Sequence, residues 1–159
     1  MAKYPKGSEW RIWDLHIHTP GTAKNDQYGN DEAAWEAYIA KLEENTDVAV
    51  LGITDYFSIE NYLFLKQKQA MGRLLGKTIL PNVELRITPV TRQETPINIH
   101  VIFNPELSID LIEREFIGCL KFSYGGSEYS FTRRDLIALG KAFRNDNSLD
   151  YESAIKVVI

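Results

Sequence analysis

The chain has few of the residues that staple small proteins or ligate metals. Its 159 residues include one cysteine and three histidines. A lone cysteine, Cys119, closes no internal disulfide, and a four-cysteine zinc site is excluded. A reducing, cytosolic setting is the expectation that follows. No apolar run approaches the ~18 residues of a membrane-spanning helix. Residues 1–13 mix Lys3, Lys6, Glu9 and Arg11 without the apolar stretch of a secretory leader. Positive charge is also scarce. A net charge of −4 excludes a chain-wide cationic coat for nucleic acid, though not a local basic patch. Six prolines and ten glycines are scattered, so no linker divides the chain. Neither a Walker A loop nor a GxGxxG loop is present. The chain is 44% hydrophobic and 25% charged, which suits one globular domain over residues 1–159. At this length about two-thirds of the unfolded surface can be buried.

Apolar periodicity gives the elements. Residues 11–16 read as a short strand, punctuated by Thr19-Pro20-Gly21. Residues 22–29 are loop-like. Over 31–44, Trp35, Tyr38, Ile39 and Leu42 recur at helical spacing, and Asn30 or Asp31 can cap the start. Residues 48–54 form a short continuous apolar run, as in a strand buried on both faces of a parallel sheet. Ser58 can cap a second helix running to about Leu75. Residues 78–87 are apolar but interrupted by Pro81-Asn82, and 97–103 are a further strand ended by Asn104-Pro105. Residues 109–120 read as helix, Tyr124-Gly125-Gly126-Ser127 as a turn, and 128–131 as a short strand. Thr132-Arg133-Arg134-Asp135 opens another helix as a capping box. Strands alternating with helices predict an α/β fold with parallel strands. The apolar ending at 156–159 suits either a final strand or part of something longer. The second is the expectation.

The histidines sit where chemistry would put them. His16 and His18, in Asp14-Leu15-His16-Ile17-His18-Thr19, are two apart on a strand and so project to one side. Open α/β sheets and barrels build their sites at the strand ends this motif occupies. Taken alone, such a pair also suits polar residues at a strand mouth. Asp55 directly follows the buried strand, where a turn or cap is an equal alternative. Glu84 stands within an apolar stretch, either facing solvent at an edge or holding a partner or metal. His100 lies inside a strand, where a hydrogen-bonded core histidine is the simpler reading. Together they place imidazoles and carboxylates at successive strand ends, a donor set that suits Zn, Mn or Fe.

The order of Asp14-Leu15-His16-Ile17-His18-Thr19, Ile53-Thr54-Asp55, Pro81-Asn82-Val83-Glu84 and Ile99-His100-Val101 resembles that of the polymerase and histidinol phosphatase (PHP) family. The wording of residues 7–20, with Ile53-Thr54-Asp55-Tyr56-Phe57-Ser58-Ile59, is similar to the PHP region opening TrlF-like bacterial proteins. Those proteins are linked to an SMC- or AAA-like ATPase and associated with DNA repair or phage defence. The resemblance covers roughly residues 11–103. It implies part of a distorted (β/α)7 barrel, the N-terminal portion of a longer domain. It also implies divalent-metal phosphoesterase chemistry with up to two ions. His16, His18, Glu84 and His100 would be metal ligands, with Asp55 catalytic or orienting. Nucleic acid and an ATPase domain or subunit are the implied partners. Two departures stand out. Tyr56 replaces a histidine usual in the family, and residues 22–30 lack another. No histidine follows His100, so the full family site is not encoded here. A degenerate, non-catalytic module that docks an ATPase is therefore the alternative.

Two basic groups remain. Lys66, Lys68, Arg73 and Lys77 form one, and Arg133, Arg134, Lys141 and Arg144 the other. They suit phosphate contacts or, more simply, solvated helix faces. Trp10 and Trp13 suit a covered barrel end or an interface. Cys119 reads as a buried apolar residue.

Overall fold

The computed structural model describes residues 10–22, 28–87, 92–93, 95 and 97–158. Lys3, Lys6, Glu9, most of the 22–30 loop and Ile159 lie outside them. The element order is β1 (Ile12–His18), α1 (Glu32–Glu44), β2 (Val48–Tyr56), α2 (Glu60–Ala70), β3 (Thr78–Ile87), β4 (Ile97–Ile102), α3 (Ile109–Glu115), a 3₁₀ turn (Ile117–Cys119), β5 (Lys121–Tyr124), β6 (Ser127–Ser130), α4 (Arg133–Arg144) and α5 (Tyr151–Val158).

The expected part of a distorted (β/α)7 barrel, with its strands all parallel, is not what the described residues form. The described residues hold an open, mixed sheet of four strands in the order β1-β2-β3-β4 and a separate two-stranded hairpin. The pairs β1–β2 and β2–β3 are parallel, each with a helical crossover, but β4 runs antiparallel to β3. The reason is chain length. Only residues 88–96 separate β3 from β4, and a parallel crossover needs a dozen residues or more. Pro81 does not interrupt β3 either. Phe103 N–H donates to the Pro81 carbonyl at 2.9 Å. Proline cannot return that bond, so the regular β3–β4 ladder ends one residue later, at Asn82–Ile102.

Alternation along the strands separates two faces. Odd-numbered Ile17, Leu51, Ile53 and Ile79 pack with Trp35, Tyr38 and Ile39 of α1 and Tyr62 and Leu65 of α2. Val83 continues this face against Ile59, Ile112 and Ile117. Apart from Val48 at the start of β2, which joins this core, the even-numbered residues carry the polar groups described below. α1 starts where Asp31 accepts from Ala34 N–H at 2.7 Å. α2 stops at Ala70, short of Leu75, because Gly72 (φ 93°) and Leu74 (φ 52°) turn left-handed. The C-terminal apolar run closes a helix, not a strand. Gly140 of α4 lets α5 approach so closely that a Cβ there would sit 2.6 Å from Ala154 Cβ. Cys119 is exposed, not buried, and Trp10 and Trp13 are exposed as well.

Candidate metal centre

β1 is irregular where it matters. Its register against β2 slips between Asp14 and Ile17, so an extra residue bulges there. The Leu15 carbonyl leaves the ladder and accepts from Asn82 Nδ2 at 2.7 Å and Thr54 Oγ1 at 3.4 Å. It also lies directly over Gly52, where a Cβ would come within 2.3 Å of that oxygen. Glycine in this buried strand makes room for the bulge, and the bulge sets the direction of the His-x-His pair.

His16 and His18 converge on Glu84. Their Nε2 atoms are 3.0 Å apart, and they lie 3.4 and 3.5 Å from Glu84 Oε2. Glu84 is wholly buried. Its Oε1 accepts from Asn98 Nδ2 at 2.6 Å, while Oε2 has no hydrogen-bond partner. A buried carboxylate oxygen without a donor costs several kcal/mol unless something positive meets it. Donor atoms of a tetrahedral site with ~2.0–2.1 Å bonds stand about 3.3–3.4 Å apart. The triangle of His16, His18 and Glu84 has nearly those edges and fits a divalent ion. It is the one such group found among the described residues. Burial holds His18 below the ordinary imidazole range, against the opposing pull of Glu84. The neutral, ligating form is thereby favoured.

His100 stands beside this triangle, its ring 4.4 Å from that of His16. Burial, then His16, lowers its pKa as well. Its Nδ1 lies 3.2 Å from Asn82 Nδ2. Asn82 Nδ2 also donates to the Leu15 carbonyl, which can only accept, so the orientation of that amide is fixed by its surroundings. The two hydrogens of that amide are taken at shorter range by the Leu15 carbonyl at 2.7 Å and Thr54 Oγ1 at 2.8 Å. Tyr56 is Glu84's Cα partner on β2, and its ring stacks on His18 at 5.4 Å. Burial and Glu84 raise its phenol above the ordinary range.

Asp55 is not brought to this cluster. It projects to the helix-covered face, where its Oδ1 accepts from Thr19 Oγ1 and Asn61 Nδ2, both at 3.0 Å. Burial pushes its carboxyl up to about 6, against those two hydrogen bonds. Through Thr19 it anchors the residue directly after His18.

The basic run at 66–77 is largely consumed within the fold. Lys68 pairs with Glu36 at 2.8 Å, Arg73 forks onto Glu36 and Glu43, and Lys77 donates to the carbonyls of Asn45 and Val48. Sequence reasoning missed Asn82, Asn98 and Gly52. A signal for the two asparagines was present, since each lies two positions before a candidate ligand and so shares its face.

No family model, no curated protein and no solved structure matches this chain. No helix of the described residues is long and apolar enough to cross a membrane.

Proposed function

We propose that the chain holds a divalent ion (Zn, Mn or Fe) on His16, His18 and Glu84 and serves as a phosphoesterase unit. The resemblance noted above favours a nucleic-acid phosphodiester as substrate and an ATPase domain or subunit as partner. Glu84 carries the reading: a wholly buried carboxylate whose unpartnered oxygen lies 3.4 and 3.5 Å from two imidazole nitrogens.

A bound ion supplies Lewis acidity toward a phosphoryl oxygen and ionises water near neutral pH. The chain's own residues do the rest. His16 and His18 offer neutral lone pairs from a strand whose bulge is locked by Asn82 and Thr54. Glu84 offsets the ion's charge, and Asn98 keeps its carboxylate from rotating away. His100 lies beside the triangle, its ring 4.4 Å from that of His16. A second ion, as the resemblance implies, would be held by an imidazole lone pair of His100. Asp55 acts as a positioning residue through Thr19.

The test is metal content by plasma mass spectrometry on protein purified without chelator or added metal, followed by phosphodiester hydrolysis with Mn²⁺. The expected result is about one ion per chain, lost in His16→Ala and Glu84→Ala together with turnover. Equal turnover in Glu84→Ala would end the catalytic reading. A second reading, a module without chemistry, is favoured by Tyr56 stacked on His18 where the family has histidine. Metal retained without turnover would select it.

A further inference from the structure

We propose that the outer face of α4 is a docking surface for the backbone of a single-stranded nucleic acid. It lies apart from the metal cluster and stands without it, sharing with the reading above only the class of partner. The two basic groups of the sequence differ in the fold. Lys68, Arg73 and Lys77 are taken up by Glu36, Glu43 and backbone carbonyls. The side chains of Arg134, Lys141 and Arg144 make no ion pair or hydrogen bond with any described residue. At 3.6 residues per turn the three stand within about 80° of one another, opposite the buried Leu136 and Leu139. No acid shares that arc; Ile137 lies within it and Ala138 beside it. Asp135 turns its carboxylate to Ser130 N–H at 2.8 Å, and Asp146, past the helix end, turns to Ser148 N–H and Oγ at 2.8 and 2.7 Å. Lys141 reaches Asp146 only as a weak, unbonded charge.

Helix stability does not account for these positions. Arg134 stands in the first turn, at the positive end of the helix dipole, where a cation is unfavourable. Lys141 and Arg144 suit the dipole at the other end, but as like charges three apart they repel each other. The three cations extend over ~15 Å of helix. That length meets about four phosphates of one strand at ~3.4 Å per charge. Two of the three are arginines, whose planar fork suits phosphate oxygens. One end of the stripe also carries aromatic rings. Phe143 adjoins Arg144 in sequence and its ring lies 5.5 Å from that of Tyr124, both of them exposed. Exposed rings beside a cationic track suit unpaired bases, which an acidic polypeptide lacks. The competing account is a solvated helix face.

Fluorescence anisotropy with a labelled oligo-dT strand, in chelator and over a range of salt, separates the two. The expected result is at least tenfold weaker binding at low salt when Arg134→Gln, Lys141→Gln and Arg144→Gln are combined. The slope of log affinity against log salt should fall by about 2, at ~0.7 per phosphate contact. Phe143→Ala should weaken binding at least fivefold, as loss of one stacked base does. Should the triple variant fail to fold, Arg134→Gln decides, with at least threefold weakening and a melting temperature no lower than wild type. Binding equal to wild type in the folded variant overturns the proposal, as does absence of binding by the wild type. Polyglutamate bound as tightly as oligo-dT also overturns it and assigns the face to an acidic protein. Chelator keeps the metal cluster out of every one of these outcomes. Metal content of the wild type, counted separately, can fail without touching the α4 surface.

Discussion

At the scale of single residues, Glu84 is stabilising only if something fills its corner. Its buried, unpartnered oxygen is a liability in the ion-free chain. Glu84→Gln keeps the shape and the Asn98 contact while removing the charge. In chelator its melting temperature should equal or exceed that of wild type. With Zn²⁺ or Mn²⁺ at a hundredfold over Kd, wild type should gain about 2.7 kcal/mol. That is roughly 5–10 °C for a chain of this size, and Glu84→Gln should gain nothing. Thermal scans with and without metal check both parts. Asp55 gives a pH signature. Its carboxyl is raised from 3.8 to about 6 by burial. Below pH 4 both folded and unfolded chains hold this proton. Between pH 4 and 6 only the folded chain does, so stability falls as pH rises through this window, by about 2–3 kcal/mol. Asp55→Asn should flatten that slope, as read from urea midpoints at successive pH values. The candidate ligands were legible as residues, because histidines are rare here and Glu84 interrupts an apolar run. Which face each occupied was less so. Asp55 adjoins Tyr56 in sequence, yet strand alternation sends it to the far side of the sheet.

At the scale of elements, β1 shows what a pattern of apolar residues leaves out. The His-x-His spacing predicted a common direction, but a bulge intervenes between Asp14 and Ile17. The clue lay in another strand, where Gly52 sits in an otherwise bulky run. Gly52→Ala would drive a methyl to 2.3 Å from the Leu15 carbonyl. The expected cost is about 3 kcal/mol, with metal binding lost because the bulge carries His16. Chemical denaturation and metal content check the two effects together. The direction of β4 was also readable. The short 88–96 connection forbids a parallel crossover, a constraint of chain length that periodicity does not express. The helices were the easiest to read. Trp35, Tyr38 and Ile39 fall at helical spacing, and Asp31 and Thr132 cap as their types suggest. The capping box at Thr132 is half made, since Asp135 turns its carboxylate to Ser130 N–H instead.

For the whole molecule, the open sheet matters most. β2 and β3 are buried, whereas β1 and β4 lie at the margins with Ile12, Trp13, Ile97, Ile99 and Ile102 exposed. Exposed apolar edge strands invite intermolecular pairing. Ile99→Lys should therefore lower concentration-dependent light scattering without changing metal content. The ion pairs from α1 to the loop after α2 keep basic side chains occupied inside the fold, so binding to polyanions should not come from that helix. The cluster itself joins distant parts of the chain: position 16 meets position 84, with α1, β2 and α2 between them. An ion seated there would close that whole stretch into a ring. By the loop-entropy estimate, a link of this length is worth about 4 kcal/mol. A polypeptide with a single thiol would thus have a reversible clasp in place of a disulfide, one that chelators rather than reductants undo.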